Sequence, residues 1–467
     1  MKRVMVIVFI MVFVVAACDG NIKSPKVNVV DSVYGIETEY QNISIPSTSN
    51  TTEPLKNEGD VEKNINAEKL SEDEKLTEDA EKNNITESDV IVDEKKIEDK
   101  KAENTLEEKV IRIFESKIPD SIEKNIKYNK YEVPTDYLLI MSSEANIREK
   151  PNTSSKIIGK AHYFEKINLL AEVKGEFIKK YGSDGWFKIA RKKDGKVQDG
   201  YIFGKLAEPR TFQFGKMVDA INKLKNNVEG STTAYISNYQ NRVGIAPLHQ
   251  GRTNDKYGIQ RYQSAPAYFE ARSNSDFRYI SDGTLVSVMA ETDSFYKIKT
   301  LNFEGEYYVP KKYVSFRESL KTLTKVIVVD RKNQNEGVFE YVNGKWNLIS
   351  YIFATTGEKA RFKLPTELGY YMAIQKVHRF SYLDDITREI SGYAPYAIRF
   401  NGGAYIHGVP VEYKKENGRL IDPGMQEYLF TIGTVPRSHK CVRNYTSHAK
   451  FLYDWVKIGE SAVIIIE

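Results

Sequence analysis

Cys441 sits in the stretch Ser438-His439-Lys440-Cys441-Val442-Arg443, with a histidine two residues before it and an arginine two residues after. Basic groups near a thiol favour the thiolate and lower a pKa that is otherwise about 8.5. The chain has only one other cysteine, Cys18. A leftover cysteine is either a small buried hydrophobe or a reactive thiol. Ser438, His439, Lys440 and Arg443 are poor company for an inert apolar site, so the local sequence favours a nucleophile. Upstream, "YAIRFNGGAYIHGVP" (396–410) leads a strand into His407, a residue type suited to proton transfer.

Residues so far apart in sequence need rigid elements to bring them together. "KVIVVDRKN" (325–333) and "GVFEYVNGKWNLISYIFATTG" (337–357) read as strands joined by Asn-Gly and similar turns. "LPTELGYYMAIQ" (364–375) continues the pattern, and "SAVIII" (461–466) is a strand apolar enough to be buried on both faces. Between the cysteine and that last strand, Phe451, Leu452 and Trp455 form a short helical face.

Four short elements occur here in a fixed order: Ala354-Thr355-Thr356-Gly357, Pro365-Thr366-Glu367-Leu368-Gly369-Tyr370, Ile406-His407-Gly408 and Ser438-His439-Lys440-Cys441-Val442-Arg443. In these motifs the segment 322–467 resembles the L,D-transpeptidase (YkuD-like) catalytic domain. The resemblance implies a β-rich domain with short helices that transfers an acyl group from the peptide stem of peptidoglycan. It implies Cys441 as nucleophile and His407 as base, its ring held by a backbone carbonyl near Gly408. It further implies that His439 and the amides of 439–441, Lys440 among them, shape the oxyanion pocket. Arg443 offers a planar fork to a substrate carboxylate, with Ser438 and Gly408 lining the substrate site. The bond attacked would join the L-centre of a diamino acid to a terminal D-alanine. The acyl group would then pass to an amine on another stem, or to water, and carbapenem-type drugs would acylate the same thiol. An L,D-carboxypeptidase or hydrolase on the same stem, and an inactive wall-binding lipoprotein, are the alternatives.

Two departures from the family pattern stand out. Lys440 occupies a position that is glycine in the family, and glycine reaches backbone angles costly to lysine. Thirty residues separate His407 from Ser438, more than the family uses. The insert 411–430 carries Tyr413, Met425, Tyr428, Leu429 and Phe430 beside Lys414, Lys415 and Glu416; it is expected either to fold over the cleft as a lid or to pack away as decoration. Of the remaining histidines, His162 and His249 lie outside this region, and His378 and His448 have no partners at ligand spacing. Neither a metal nor any other cofactor is expected.

The chain opens with Met1-Lys2-Arg3, an apolar run from Val4 to Ala17, and Cys18. This is the pattern of a secretory signal, too short for the roughly 20 residues of a spanning helix. Val15-Ala16-Ala17-Cys18 resembles a bacterial lipobox. That resemblance implies cleavage before Cys18, lipidation of its thiol, and an exported protein held at a cell-envelope membrane facing the peptidoglycan, as in a periplasm. Residues 18–130 are charged and poor in aromatics, and read as a disordered tether.

From Tyr131 the texture becomes short apolar alternations broken by Gly and Asp. "ANIREKPNTSSKIIGK" (145–160), "GWFKIA" (185–190) and "DGYIFGKLAE" (199–208) resemble the bacterial Src-homology-three barrel over 131–209, a module that binds cell-wall material or peptide, or serves as a spacer. A weaker copy is read at 261–318, where Phe295-Tyr296-Lys297-Ile298 parallels Trp186-Phe187-Lys188-Ile189. Between them, 210–260 reads as a connector, with Phe214, Met217, Val218, Ile221, Leu224 and Val228 at helical spacing. The expected class is mainly β, small barrels followed by the catalytic domain. A net charge of +4 over 467 residues gives no case for nucleic-acid binding.

Overall fold

The computed structural model describes residues 109–467 except 194, 362 and 385. The leader, Cys18 and the polar segment before residue 109 lie outside the described residues. The protein is mainly β, as the alternating apolar pattern predicts.

Two small sheets precede the catalytic region, and they share one topology. The first runs from Asp136–Ile140 to Ala207–Thr211, the second from Thr232–Ile236 to Val314–Ser315. With the seven strands of each counted in chain order, both sheets are ordered third, second, sixth, fifth, fourth, first, seventh. In each, a short 3-10 turn, Gly204–Leu206 or Lys311–Tyr313, leads into the seventh strand. The second sheet begins at Thr232, inside the stretch read from sequence as connector. Its first strand is separated from the second (Ser264–Tyr268) by a long loop, and this loop hid the continuity of the repeat.

The catalytic region is a sandwich. A six-stranded sheet is built around Lys325–Asp330, which pairs in parallel with the closing strand Ser461–Ile466. A five-stranded sheet carries Gln375–Leu383, Ile390–Asn401, Ala404–His407 and Val442–Arg443. Ile327, Val329, Val463 and Ile465 meet Ile398, Phe400, Ile406 and Val442 between the two sheets. The opposite face of the six-stranded sheet, through Val326, Val328, Ala462 and Ile464, packs on the helix Phe214–Glu229. Ser461–Ile466 thus feeds both cores, as its unbroken apolar run predicts. The helical stripe Phe214, Met217, Val218, Ile221, Leu224 and Val228 is buried in this same core.

Part of the stretch read from sequence as a tether, from Lys109 onward, belongs to the fold. Lys109–Ile113 pairs with Lys166–Ile178 of the first small sheet, and Ile122–Lys124 forms the edge of the six-stranded catalytic sheet beside Lys345–Phe353. Val110, Ile111 and Ile113 remain exposed, so this first strand is held by ladder hydrogen bonds rather than by burial, and a hydropathy reading has little to detect there. Tyr128 and Tyr131 then anchor the segment beside the C-terminal helix Thr446–Trp455. Tyr128 Oη meets Ser447 Oγ at 2.8 Å, and the rings of Tyr131 and Tyr445 lie 4.4 Å apart.

Candidate active site

The strand Ala404–His407 runs parallel to Val442–Arg443, with Ile406 opposite Val442 and His407 opposite Arg443. Alternate side chains of a strand point to opposite faces. Ile406 and Val442 fill the sandwich core, so Tyr405, His407, Cys441 and Arg443 share the other face. The motifs read from the sequence around residues 407 and 441 are brought together by this one pairing. Cys441 is 5% exposed and packs with Phe380, Ala394, Ala397 and Tyr405. Its thiol lies 3.8 Å from the carbonyl oxygen of Gly403, at the tip of the hairpin that precedes Ala404.

His407 Nδ1 is 2.6 Å from the carbonyl oxygen of Gly408. With the Nδ1 proton donated there, Nε2 is the basic nitrogen of the ring. Burial, reinforced by the Arg443 guanidinium, lowers the imidazole from its usual range to about 3 against the opposing pull of the Gly408 carbonyl. His407 is therefore neutral at pH 7, with Nε2 unprotonated. Arg443 is fixed through its backbone, which exchanges two hydrogen bonds with Thr355, at 2.8 and 3.0 Å. Its Nε is buried without a hydrogen-bond partner among the described residues, an unmet demand that an anionic group could satisfy.

The loop before the cysteine is tied down at every position. Ser438 Oγ donates to the carbonyl of Cys441, closing the turn, so Ser438 acts as a loop clasp. The amide of Cys441 donates to His439 O at 2.8 Å, and that of Lys440 donates to Leu364 O at 2.8 Å. These two amides, read from sequence as oxyanion donors, are thus engaged inside the protein. Lys440 has φ +63°, the left-handed conformation that glycine adopts readily. Thr366 Oγ1 bridges the cysteine loop to the preceding motif, donating to Lys440 O at 2.8 Å and accepting from Gly357 N at 2.8 Å. A Cβ on Gly357 would lie 2.5 Å from Leu364 O and 2.7 Å from Lys440 N, so this close approach requires glycine. His439 is half-buried, two residues before Cys441. Gly408 works through its backbone, donating to Pro395 O at 2.9 Å while its own carbonyl receives His407.

Sequence reasoning missed Gly403, Thr366 and Tyr405. All three lie inside stretches quoted from the sequence, but nothing local marked them as neighbours of the thiol or its loop. His448 is fully buried, 3.2 Å from the carboxylate of Glu336 and 2.9 Å from Ser350 Oγ. It braces the C-terminal helix against the six-stranded sheet.

The insert 411–430 divides in two. Its hairpin, Lys414–Glu416 with Arg419–Ile421, is exposed. The trailing half is held down: Asp422 pairs with Arg379 at 2.8 Å, Tyr428 stacks on Tyr445, and Leu429 joins the large core. Part of the apolar face expected of a lid is therefore spent on anchoring the insert.

Residues 324–465 match the family model of the L,D-transpeptidase catalytic domain, and residues 143–207 match that of the bacterial SH3 domain. No curated protein matches the chain. Among solved structures, a fused Zn-dependent amidase/peptidase protein from Clostridium acetobutylicum is similar at 21% identity and TM-score 0.21, over 30% of this chain and 51% of that one, about half its length. L,D-transpeptidase 3 from Mycobacterium tuberculosis, in complex with a faropenem-derived adduct, is similar at 16% identity and TM-score 0.25, over 40% of this chain and 92% of that one. A cysteine-to-serine mutant of the Enterococcus faecium L,D-transpeptidase is similar at 14% identity and TM-score 0.24, over 59% and 86%. The chain thus carries an L,D-transpeptidase catalytic domain at 324–465, preceded by a bacterial SH3 domain at 143–207.

Proposed function

We propose that this protein forms an acyl-enzyme on Cys441 from a peptidoglycan stem peptide and transfers the acyl group to an amine, cross-linking or remodelling the wall. The observation that carries the proposal is the strand pairing that sets a neutral His407 and Arg443 on the same face as the buried thiol of Cys441. His407 Nε2 takes the thiol proton. The sulfur attacks the carbonyl at the L-centre of the diamino acid, and the amide bond to D-alanine breaks. D-alanine leaves with the proton from His407. An acceptor amine then attacks the thioester, gives up a proton to His407 and restores the thiol. Arg443, with its unpartnered Nε, is the group for the stem carboxylate. His439 borders the developing oxyanion.

The test is release of D-alanine from a disaccharide-tetrapeptide by the purified protein, followed by mass spectrometry of the product. Wild-type protein is expected to release it and Cys441→Ser to release none while unfolding at the same temperature. Turnover by the serine variant refutes the assignment. A carbapenem should add its mass to Cys441 in the wild type alone.

The same reading places the protein outside the cytoplasm, tethered by lipid on Cys18; the support is the leader and the Val15-Ala16-Ala17-Cys18 pattern. Metabolic labelling with a fatty acid should mark the full chain and miss Cys18→Ser. Equal labelling of both removes the anchor.

A further inference from the structure

We infer that the second small sheet, residues 232–315, is a working part of the active site, with Tyr239 and Asp282 acting as positioning residues for the thiol. This rests on the reading of Cys441 as the nucleophile.

Two routes lead from this module to the sulfur. In the first, Asp282 grips the hairpin tip. Its Oδ2 accepts from Arg399 Nη1 at 2.5 Å and from Gly402 N at 3.2 Å, while its Oδ1 accepts from Asn238 N at 2.7 Å. The next residue, Gly403, offers the carbonyl that faces the thiol. The Asp282–Arg399 pair is almost wholly buried, with side-chain exposures of 1% and 8%. Burying two charges costs enough that such a pair contributes little net stability, whereas its directional bonds can fix one register. In the second route, Tyr239 lies over the Arg399 guanidinium, 4.1 Å from ring centroid to carbon, and its hydroxyl is 3.0 Å from that of Tyr405. The Tyr405 ring stacks on Phe380 at 4.1 Å and packs against Cys441.

Attachment of the module does not depend on these contacts alone. Asn302 Oδ1 accepts from Tyr370 N at 2.7 Å, Ser281 Oγ donates to Glu367, and Gly283 O accepts from Met372 N at 2.9 Å. The Asn302 and Gly283 bonds hold the module to the strand Gly369–Met372, whereas Glu367 also accepts from Asn401 Nδ2 at 3.2 Å beside the hairpin tip. Asp282 bonds the hairpin tip directly at Gly402 N, and Tyr239 bonds the side chain that packs beside the sulfur.

The experiment measures alkylation of Cys441 by iodoacetamide in the full chain, read as modified peptide by mass spectrometry across pH 5–10, alongside thermal unfolding. Tyr239→Phe deletes only the hydroxyl. It is expected to slow alkylation near neutral pH by about two- to tenfold, the worth of one hydrogen bond, and to displace the pH midpoint while lowering the unfolding temperature by only a few degrees. Asp282→Asn should act in the same direction, more strongly. Asn302→Ala, which touches only the attachment, should leave the pH profile as in the wild type. Tyr239→Phe combined with Tyr405→Phe should add nothing to Tyr405→Phe alone. Should Asp282→Asn fail to fold, Tyr239→Phe decides the matter. A wild-type profile in folded Tyr239→Phe, or an equal change in Asn302→Ala, overturns the inference. Alkylation needs no stem peptide, so a wild type that releases no D-alanine overturns the enzymatic reading and leaves this test standing.

Discussion

Replacing Lys440 by glycine should stabilise the protein, although it removes a side chain next to Cys441. Lys440 is held at φ +63°. Its amide is committed to Leu364 O, its carbonyl accepts from Thr366 Oγ1, and Gly357 packs against its backbone. Three partners outside the loop therefore impose a conformation that an L-residue pays roughly 1–2 kcal/mol to adopt. Glycine removes that strain but brings extra freedom to the unfolded chain, worth about 0.4–1 kcal/mol in the other direction. The net gain for Lys440→Gly is then about 0.5–1 kcal/mol. It should appear in urea titration as a higher midpoint at unchanged slope. Because both hydrogen bonds belong to the backbone, the rate of Cys441 alkylation should stay within about twofold of the wild type. Destabilisation by about 1 kcal/mol or more would show that the lysine side chain contributes something this reasoning omits, and would refute it.

Gly357→Ala places a Cβ against Leu364 O and the backbone of Lys440; since backbone cannot swing aside, a loss of about 1–3 kcal/mol is expected by urea titration, with slower alkylation of Cys441. His407 titrates at about 3 in the folded protein, against about 6.5 in an unfolded chain. The unfolded chain binds more protons between those values, so stability is intact above about pH 6.5 and falls as pH drops toward 3, by on the order of 5 kcal/mol. His407→Asn should flatten that acid limb; an unchanged slope in denaturation midpoints from pH 7 to 4 would mean that the imidazole is not excluded from water.

The motifs that meet at the candidate site were legible in the sequence by residue type and local order: Ile406-His407-Gly408 and the run from Ser438 to Arg443 needed only one strand pairing to come together. The strand Ser461–Ile466 was legible because burial on both faces leaves a continuous apolar run. What could not be read were groups acting through backbone or across domains. Gly403 contributes a carbonyl, which every residue type has. Leu364 O and Thr366 Oγ1 occupy the amide and carbonyl of Lys440, and no local pattern announces such partners. The Asp282–Arg399 pair joins residues more than a hundred positions apart, and either charge alone looks like an ordinary surface residue. Lys440 is the intermediate case. Its identity flagged strain at the position, and the positive φ is there, but the surrounding bonds that enforce it are tertiary.

The duplicated topology explains how a second module came to lie beside the cysteine. In both small sheets the turn from third to fourth strand folds back on the end of the first. Phe164 N donates to Ile140 O at 2.9 Å, and Gly283 N donates to Ile236 O at 2.7 Å; Ile140 N donates to Glu165 O, and Ile236 N to Thr284 O, both at 3.0 Å. The central residue of each turn has positive φ, +65° at Phe164 and +84° at Gly283. Both turns also face the catalytic domain, on different sides of the site. In the SH3 domain, Phe164 lies under the Arg437 guanidinium, and Lys166 donates to Phe430 O at 3.2 Å, at the junction between the insert and the cysteine loop. In the second sheet, Gly283 approaches Phe400 so closely that a Cβ would fall 1.8 Å from its carbonyl oxygen. The same turn thus docks by a side chain in one copy and by bare backbone in the other. The first contact braces the loop that carries Cys441. The second brings Asp282 within reach of Arg399 and Gly402, because only a residue without a side chain at 283 lets the two backbones come that near.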